Sequence, residues 1–155
     1  MNGKMKLSEH FSLGELTKTS HKTADGNIPS HQAIENLKNL CENWLELLRS
    51  EWNRLYGEGN DPILINSGYR SPAVNKLVKG VATSNHLTGC AVDIHVDGKE
   101  QYARYQCILL DISDRTKRDF DELLYEEDRR GHFWLHFAVR PPSQQNRRKI
   151  AFLRA

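Results

Sequence analysis

Cysteine is scarce in this chain and poorly placed for structural work. Cys41, Cys90 and Cys107 are odd in number, widely spaced and without a Cys-x-x-Cys pair, which argues against a disulfide framework and a structural zinc knuckle. Reduced thiols fit a chain made in a reducing compartment. Long hydrophobic runs are missing too: no segment approaches a membrane span, and Met1 through Glu9 holds no apolar core of signal-peptide length. Synthesis in the cytoplasm is therefore expected, with release or export by some other route if the target lies outside. Nor is there an excess of one charge. Twenty-two basic residues against twenty acidic ones leave a formal net charge of +2, so composition offers no case for a nucleic-acid partner. The basic run Arg147 to Lys149 reads as a solvated terminus. With 155 residues, 38% of them hydrophobic, the chain suits one compact domain spanning 1–155, and no repeat or low-complexity tract divides it.

The apolar residues are arranged by period. Ile34, Leu37, Cys41, Trp44, Leu48, Trp52 and Leu55 recur at three-and-four spacing after a candidate N-cap at Ser30, which predicts a long helix from about 30 to 56 with a buried stripe. Gly57 to Pro62 breaks it. Ile63-Leu64-Ile65 predicts a short buried strand leading into Ser67-Gly68. Ser71-Pro72 is an N-cap with proline at the first helical position, opening a short helix to about Val78. A loop over 79–83 precedes a strand from Cys90 to Val96, and 100–112 fits a second amphipathic helix. Strands are then predicted at 120–125 and 132–139. Helices segregated from a run of strands give an α+β class with a small antiparallel sheet and helices packed on one side.

Chemistry concentrates between Ser67 and Asp93, in Ser67-Gly68-Tyr69-Arg70-Ser71 and Ser84-Asn85-His86-Leu87-Thr88-Gly89-Cys90-Ala91-Val92-Asp93, with Trp134-Leu135-His136 much later. On a strand, Ala91, Asp93 and His95 share a face, and His86 in the preceding loop can fold back towards Asp93. An antiparallel neighbour would bring His136 beside Asp93. Two imidazoles and one carboxylate make a three-ligand set that leaves zinc a fourth position for water, the mark of a hydrolytic site. His95 shares the Asp93 face and is a substitute ligand on spacing alone. Cys90 should point away from Asp93 as a buried, inert thiol.

These residues, together with the opening His10-Phe11-Ser12-Leu13-Gly14-Glu15-Leu16, resemble the zinc D-Ala-D-Ala carboxypeptidase family of peptidoglycan peptidases, in particular its small phage-lysin-like and bacterial murein members. The resemblance covers most of the chain and implies a hedgehog/DD-peptidase-like fold. It implies one zinc ion held by His86, Asp93 and His136, and a transition-state role for Arg70, whose planar fork suits an oxyanion or a carboxylate. Many relatives carry a Glu three residues before the last His, where this chain has Phe133. A subgroup instead carries a segment similar to Phe120-Asp121-Glu122-Leu123-Leu124-Tyr125-Glu126, which makes Glu126 the candidate general base, with Asp121 and His132 as alternatives. Ser67, Tyr69, Ser84 and Trp134 are candidate substrate-groove residues. Ser84 and Asn75 are also candidates to support the ligands by hydrogen bonds. The implied activity is hydrolysis of a D-amino-acid-containing bond in peptidoglycan stem peptides by a monomer, as a carboxypeptidase or an endopeptidase. The alternative is a non-catalytic, zinc-containing module that binds cell-wall peptide on the same scaffold.

Overall fold

The computed structural model describes residues 4–155. The short α1 (Leu13–Leu16) opens on a capping box, in which the Ser12 hydroxyl accepts from the Glu15 N–H and the Glu15 carboxylate accepts from the Ser12 N–H. The long predicted helix is present as α2 (His31–Leu40), a π-helical turn (Cys41–Leu45) and α3 (Glu46–Leu55). Ser30 caps it, accepting from the Ala33 N–H. The wider turn admits one extra residue, so that Cys41, Trp44 and Leu45 all face inward. α4 (Pro72–Leu77) begins as expected, with Ser71 as cap and Pro72 in the first turn. α5 (Lys99–Thr116) runs a turn beyond its predicted end and stops at Lys117 in the left-handed region, φ 56°.

Five strands form one sheet, β1 (Ile65–Ser67), β2 (Ala91–Ile94), β3 (Glu122–Glu127), β4 (Phe133–Ala138) and β5 (Lys149–Arg154), in the order β1-β2-β4-β3-β5. The first four pair antiparallel, as expected. The strand predicted at 63–65 sits two residues later, although Ile63 is buried as read. The larger correction is at the C-terminus: the run read as a solvated tail enters β5, which lies parallel beside β3 with Glu122 opposite Lys149. The sheet is therefore mixed.

Period-two alternation gives this sheet two different faces. Leu135 and Phe137 of β4 are fully buried. Trp44 packs on Phe137 at 5.0 Å and on Phe120 at 6.5 Å. Trp52 meets Tyr105 of α5 edge-on at 5.1 Å, tying the two long helices together over this side. Trp134 and His136 alternate with that apolar set and so fall on the other face. No helix among the described residues is long and apolar enough to cross a membrane.

Candidate metal centre

Strand register assembles the site. Asp93 of β2 lies directly opposite His136 of β4, and His136 lies opposite Leu124 of β3. His86 arrives from a 3₁₀ turn (Asn85–Thr88) capped by Ser84, whose hydroxyl accepts from the His86 N–H. The turn is ended by Gly89 at φ 74°. A Cβ there would stand 2.4 Å from the Ala33 carbonyl oxygen, so both the conformation and the close approach demand glycine.

The three side chains converge on one point. His86 Nε2 lies 3.2 Å and His136 Nδ1 3.0 Å from the same Asp93 Oδ1. One ligand atom from each residue falls within 4.8 Å of the others, and all three residues are buried. Each imidazole uses its second nitrogen elsewhere. His86 Nδ1 is 2.7 Å from the Gly68 carbonyl oxygen, and His136 Nε2 is 3.0 Å from Glu122 Oε1. Those acceptors fix an N–H on the outward nitrogens, so the proton that a metal would displace is the one on the inward side, facing Asp93, which is how metal-ligating histidines are usually oriented. The donor set, two imidazole nitrogens and a carboxylate oxygen, thus fits a zinc ion with an open fourth position.

The electrostatics agree. Burial would raise the Asp93 pKa, but the two histidines outweigh it and hold the carboxylate well below its usual range. Burial would likewise lower the His136 pKa, but hydrogen bonds to Asp93 and Glu122 raise it from 6.5 to about 10. A site that holds a proton this firmly without metal is one where a divalent cation would find concentrated negative charge.

Around the triad, the candidates separate. Arg70 Nη2 donates to Asp93 Oδ2 at 3.1 Å and its Nε to Ser67 Oγ at 3.3 Å. The guanidinium therefore steadies the Asp93 oxygen that faces away from the histidines. Glu126 lies on the triad side of β3, with Oε1 3.6 Å from His136 Nδ1 and accepting from Trp134 Nε1 at 2.9 Å. Ser84, Glu126, Arg70 and both histidines line one cleft of about 460 Å³. Ser67 and Tyr69 line a neighbouring hollow that meets this cleft only at Arg70, and Trp134 stands behind Glu126, outside the cleft lining.

The other candidates are placed elsewhere. The Asp121 carboxylate is fully buried and occupied by Arg147, Arg140 and Asn85. Burial opposes its ionisation, but these partners prevail and bring its pKa down to about 2. His132 is exposed in the turn before β4 and pairs with Asp128. Phe133 stacks on Tyr125 at 5.4 Å, on the face away from the triad. His95 is half exposed and pairs with Asp97, so it lies outside the convergent triad. Asn75 supports the following loop by donating to the Val81 carbonyl and touches neither histidine. Cys90 is buried, with burial raising its thiol pKa.

Sequence reasoning overlooked Glu122. It accepts from His136 and from Asn85 at 2.8 Å and is about one-seventh exposed. The signal was available: Glu122, Leu124 and Glu126 alternate along one strand, so two carboxylates share the sheet face that carries His136.

Residues 9–123 match the family described as Peptidase M15. The matched span covers more than half of the chain, and the chain belongs to this family of zinc-dependent metallopeptidases. Arg70, His86 and Asp93 fall inside the matched span; Glu126, His136 and all of β4 and β5 lie beyond it. No curated protein matches the chain.

Proposed function

We propose that this protein is a zinc peptidase that hydrolyses a D-amino-acid-containing peptide bond in peptidoglycan stem peptides or cross-links. The observation that carries the reading is the convergence of His86, Asp93 and His136 in a cleft that also offers a carboxylate, Glu126, 3.6 Å from the inner nitrogen of His136. Family membership supports the metallopeptidase class, and the resemblance in the motifs supports the substrate.

In this proposal His86, His136 and Asp93 would hold the zinc ion, with His86 Nε2, His136 Nδ1 and Asp93 Oδ1 as the convergent donor atoms. When bound, zinc supplies Lewis acidity and a water whose pKa is lowered to about 7. Glu126 takes the proton from the attacking water and returns it to the leaving amine, and the Trp134 indole N–H fixes the carboxylate for that transfer. The Arg70 fork spans Asp93 and Ser67 and keeps Nη1 for the substrate, where it steadies charge developing on the carbonyl oxygen. Glu122 and the Gly68 carbonyl hold the ligand histidines in orientation.

The test is mass spectrometry of purified muropeptides incubated with zinc-loaded protein, beside a chelated sample and Glu126→Gln. Loss of D-Ala, or splitting of a peptide, abolished in both controls, is the expected result. Intact monomeric and cross-linked muropeptides in the presence of bound zinc would sink the proposal.

A further inference from the structure

The cleft is more cationic than the chain as a whole. Five of its lining residues are basic, whereas only Glu122 and Glu126 are acidic. Three of those cations are committed: Arg70 to Asp93, and Arg140 and Arg147 to the buried Asp121. The remaining two, Lys79 and Lys149, have no carboxylate at ion-pair distance among the described residues.

Their placement is built by the backbone. Lys79 follows α4 in the left-handed region, φ 58°, and precedes Gly80, whose Cα hydrogens lie where a Cβ would strike the Asn75 side chain at 2.0 Å. Arg148 is also left-handed, φ 50°. Its guanidinium lies over the Phe120 ring at 4.8 Å and pairs with Asp114 and Asp119 on the helix side. Pinning Arg148 there turns its two neighbours, Arg147 and Lys149, to the cleft side. Parallel register then sets Lys149 beside Glu122, and Leu153 beside Glu126, so β5 extends the floor of the cleft.

We infer that Lys149, with Lys79 on the lining of the same cleft, forms an anion subsite that selects a peptide carrying a carboxylate in addition to the bond being cut. The inference rests on the peptidase reading of the triad and adds a substrate class to it. Two ammonium groups without a direct ion-pair partner, in a cleft already lined by paired arginines, favour a carboxylate over a carboxamide, and their effect weakens as salt rises. The carboxylate has two possible sources, the peptide's C-terminus and an acidic side chain, with the same chemistry at the lysines.

The test uses three otherwise identical stem peptides: fully acidic, amidated at the C-terminus, and amidated at the side chain. Each is given to the zinc-loaded parent and to the Lys79→Gln/Lys149→Gln double variant, and both binding and kcat/KM are measured. The expected result is a preference of about 10-fold or more for the acidic peptide over one amidated form, the scale of one charge-assisted hydrogen bond. That preference should collapse towards unity in the double variant and survive in Lys79→Arg/Lys149→Arg. The form that loses identifies the source: C-terminal amidation marks an exopeptidase, side-chain amidation an internal acidic residue. Equal use of all three peptides, or a preference unchanged in the double variant, overturns the subsite while leaving the peptidase reading intact. Absence of cleavage strikes the peptidase reading instead, and the binding data then decide the subsite, because equal affinities for the three peptides overturn it.

Discussion

Replacing Glu122 with Gln separates two carboxylates that sit on one strand face. Glu122 Oε1 accepts from His136 Nε2 at 3.0 Å, and its side chain is about one-seventh exposed, so solvent screens the contact weakly. Losing the partner that orients a ligating imidazole lowers metal affinity by about 10- to 100-fold, or roughly 1.4–2.8 kcal/mol. The amide can still accept one hydrogen bond from His136, which favours the lower end. Glu126→Gln should behave in the opposite way. Its contact to Trp134 can be kept by the amide oxygen, so zinc affinity stays near the parent value, while loss of the proton acceptor lowers turnover by about 100- to 10,000-fold. Zinc affinity is read by competition with a chromophoric chelator, and turnover at saturating zinc with a muropeptide substrate. Parent-like zinc binding with lost turnover in Glu122→Gln, beside an active Glu126→Gln, would refute the assignment and exchange the two roles.

Four other outcomes are expected. Arg70→Ala should lower turnover by about 100- to 1000-fold and also weaken zinc binding measurably, because Arg70 holds Asp93 Oδ2; parent-like metal affinity would confine Arg70 to the substrate. Zinc binding near pH 7 should release about one proton, since His136 carries one up to about pH 10 without metal, and calorimetry in buffers of different ionisation enthalpy counts it; zero release would contradict the triad's electrostatics. Gly89→Ala forces a left-handed alanine against the Ala33 carbonyl and should cost at least about 1–2 kcal/mol, seen as a Tm lowered by roughly 2–8 °C; an unchanged Tm would show that the turn relaxes freely. Because the folded pKa of Asp121 is lowered from 3.8 to about 2, its contribution is full above pH 4 and is lost as pH falls to 2. Asp121→Asn should therefore be less stable than the parent at pH 6, by at most about 2.4 kcal/mol from this linkage, with the gap closing near pH 2 in urea titrations. A gap that stays constant with pH would argue against the ion pairs.

What could be read without coordinates was what is local or periodic. Ser30 and Ser71 announced their helices, and the Trp44–Leu48–Trp52 stripe is buried as its spacing required. Alternation along β2 put Asp93 on an identifiable face, and one antiparallel neighbour sufficed to bring His136 to it. β5 was not legible, because a parallel pairing leaves no hairpin signal and Arg147-Arg148-Lys149 resembles a solvated run until Asp121 and Phe120 are seen to bind its arginines. Tyr69 misled for a related reason: the turn that presents Arg70 also directs Tyr69 into the core, where it is 8% exposed. Glu122 was hidden beside the more conspicuous Glu126, since its importance depends on which nitrogen of His136 faces inward, a fact of three-dimensional register alone.

The identity of the atoms around the bound metal is the most direct check on the triad. X-ray absorption at the zinc edge of the zinc-loaded protein should give two imidazole nitrogens at about 2.0–2.1 Å, oxygen ligands at about 2.0–2.2 Å and no sulfur. His136→Ala should reduce the imidazole count to one. A zinc–sulfur distance near 2.3 Å, which would draw on Cys90 or another thiol, or a spectrum unchanged by loss of His136, would contradict the triad as the metal centre.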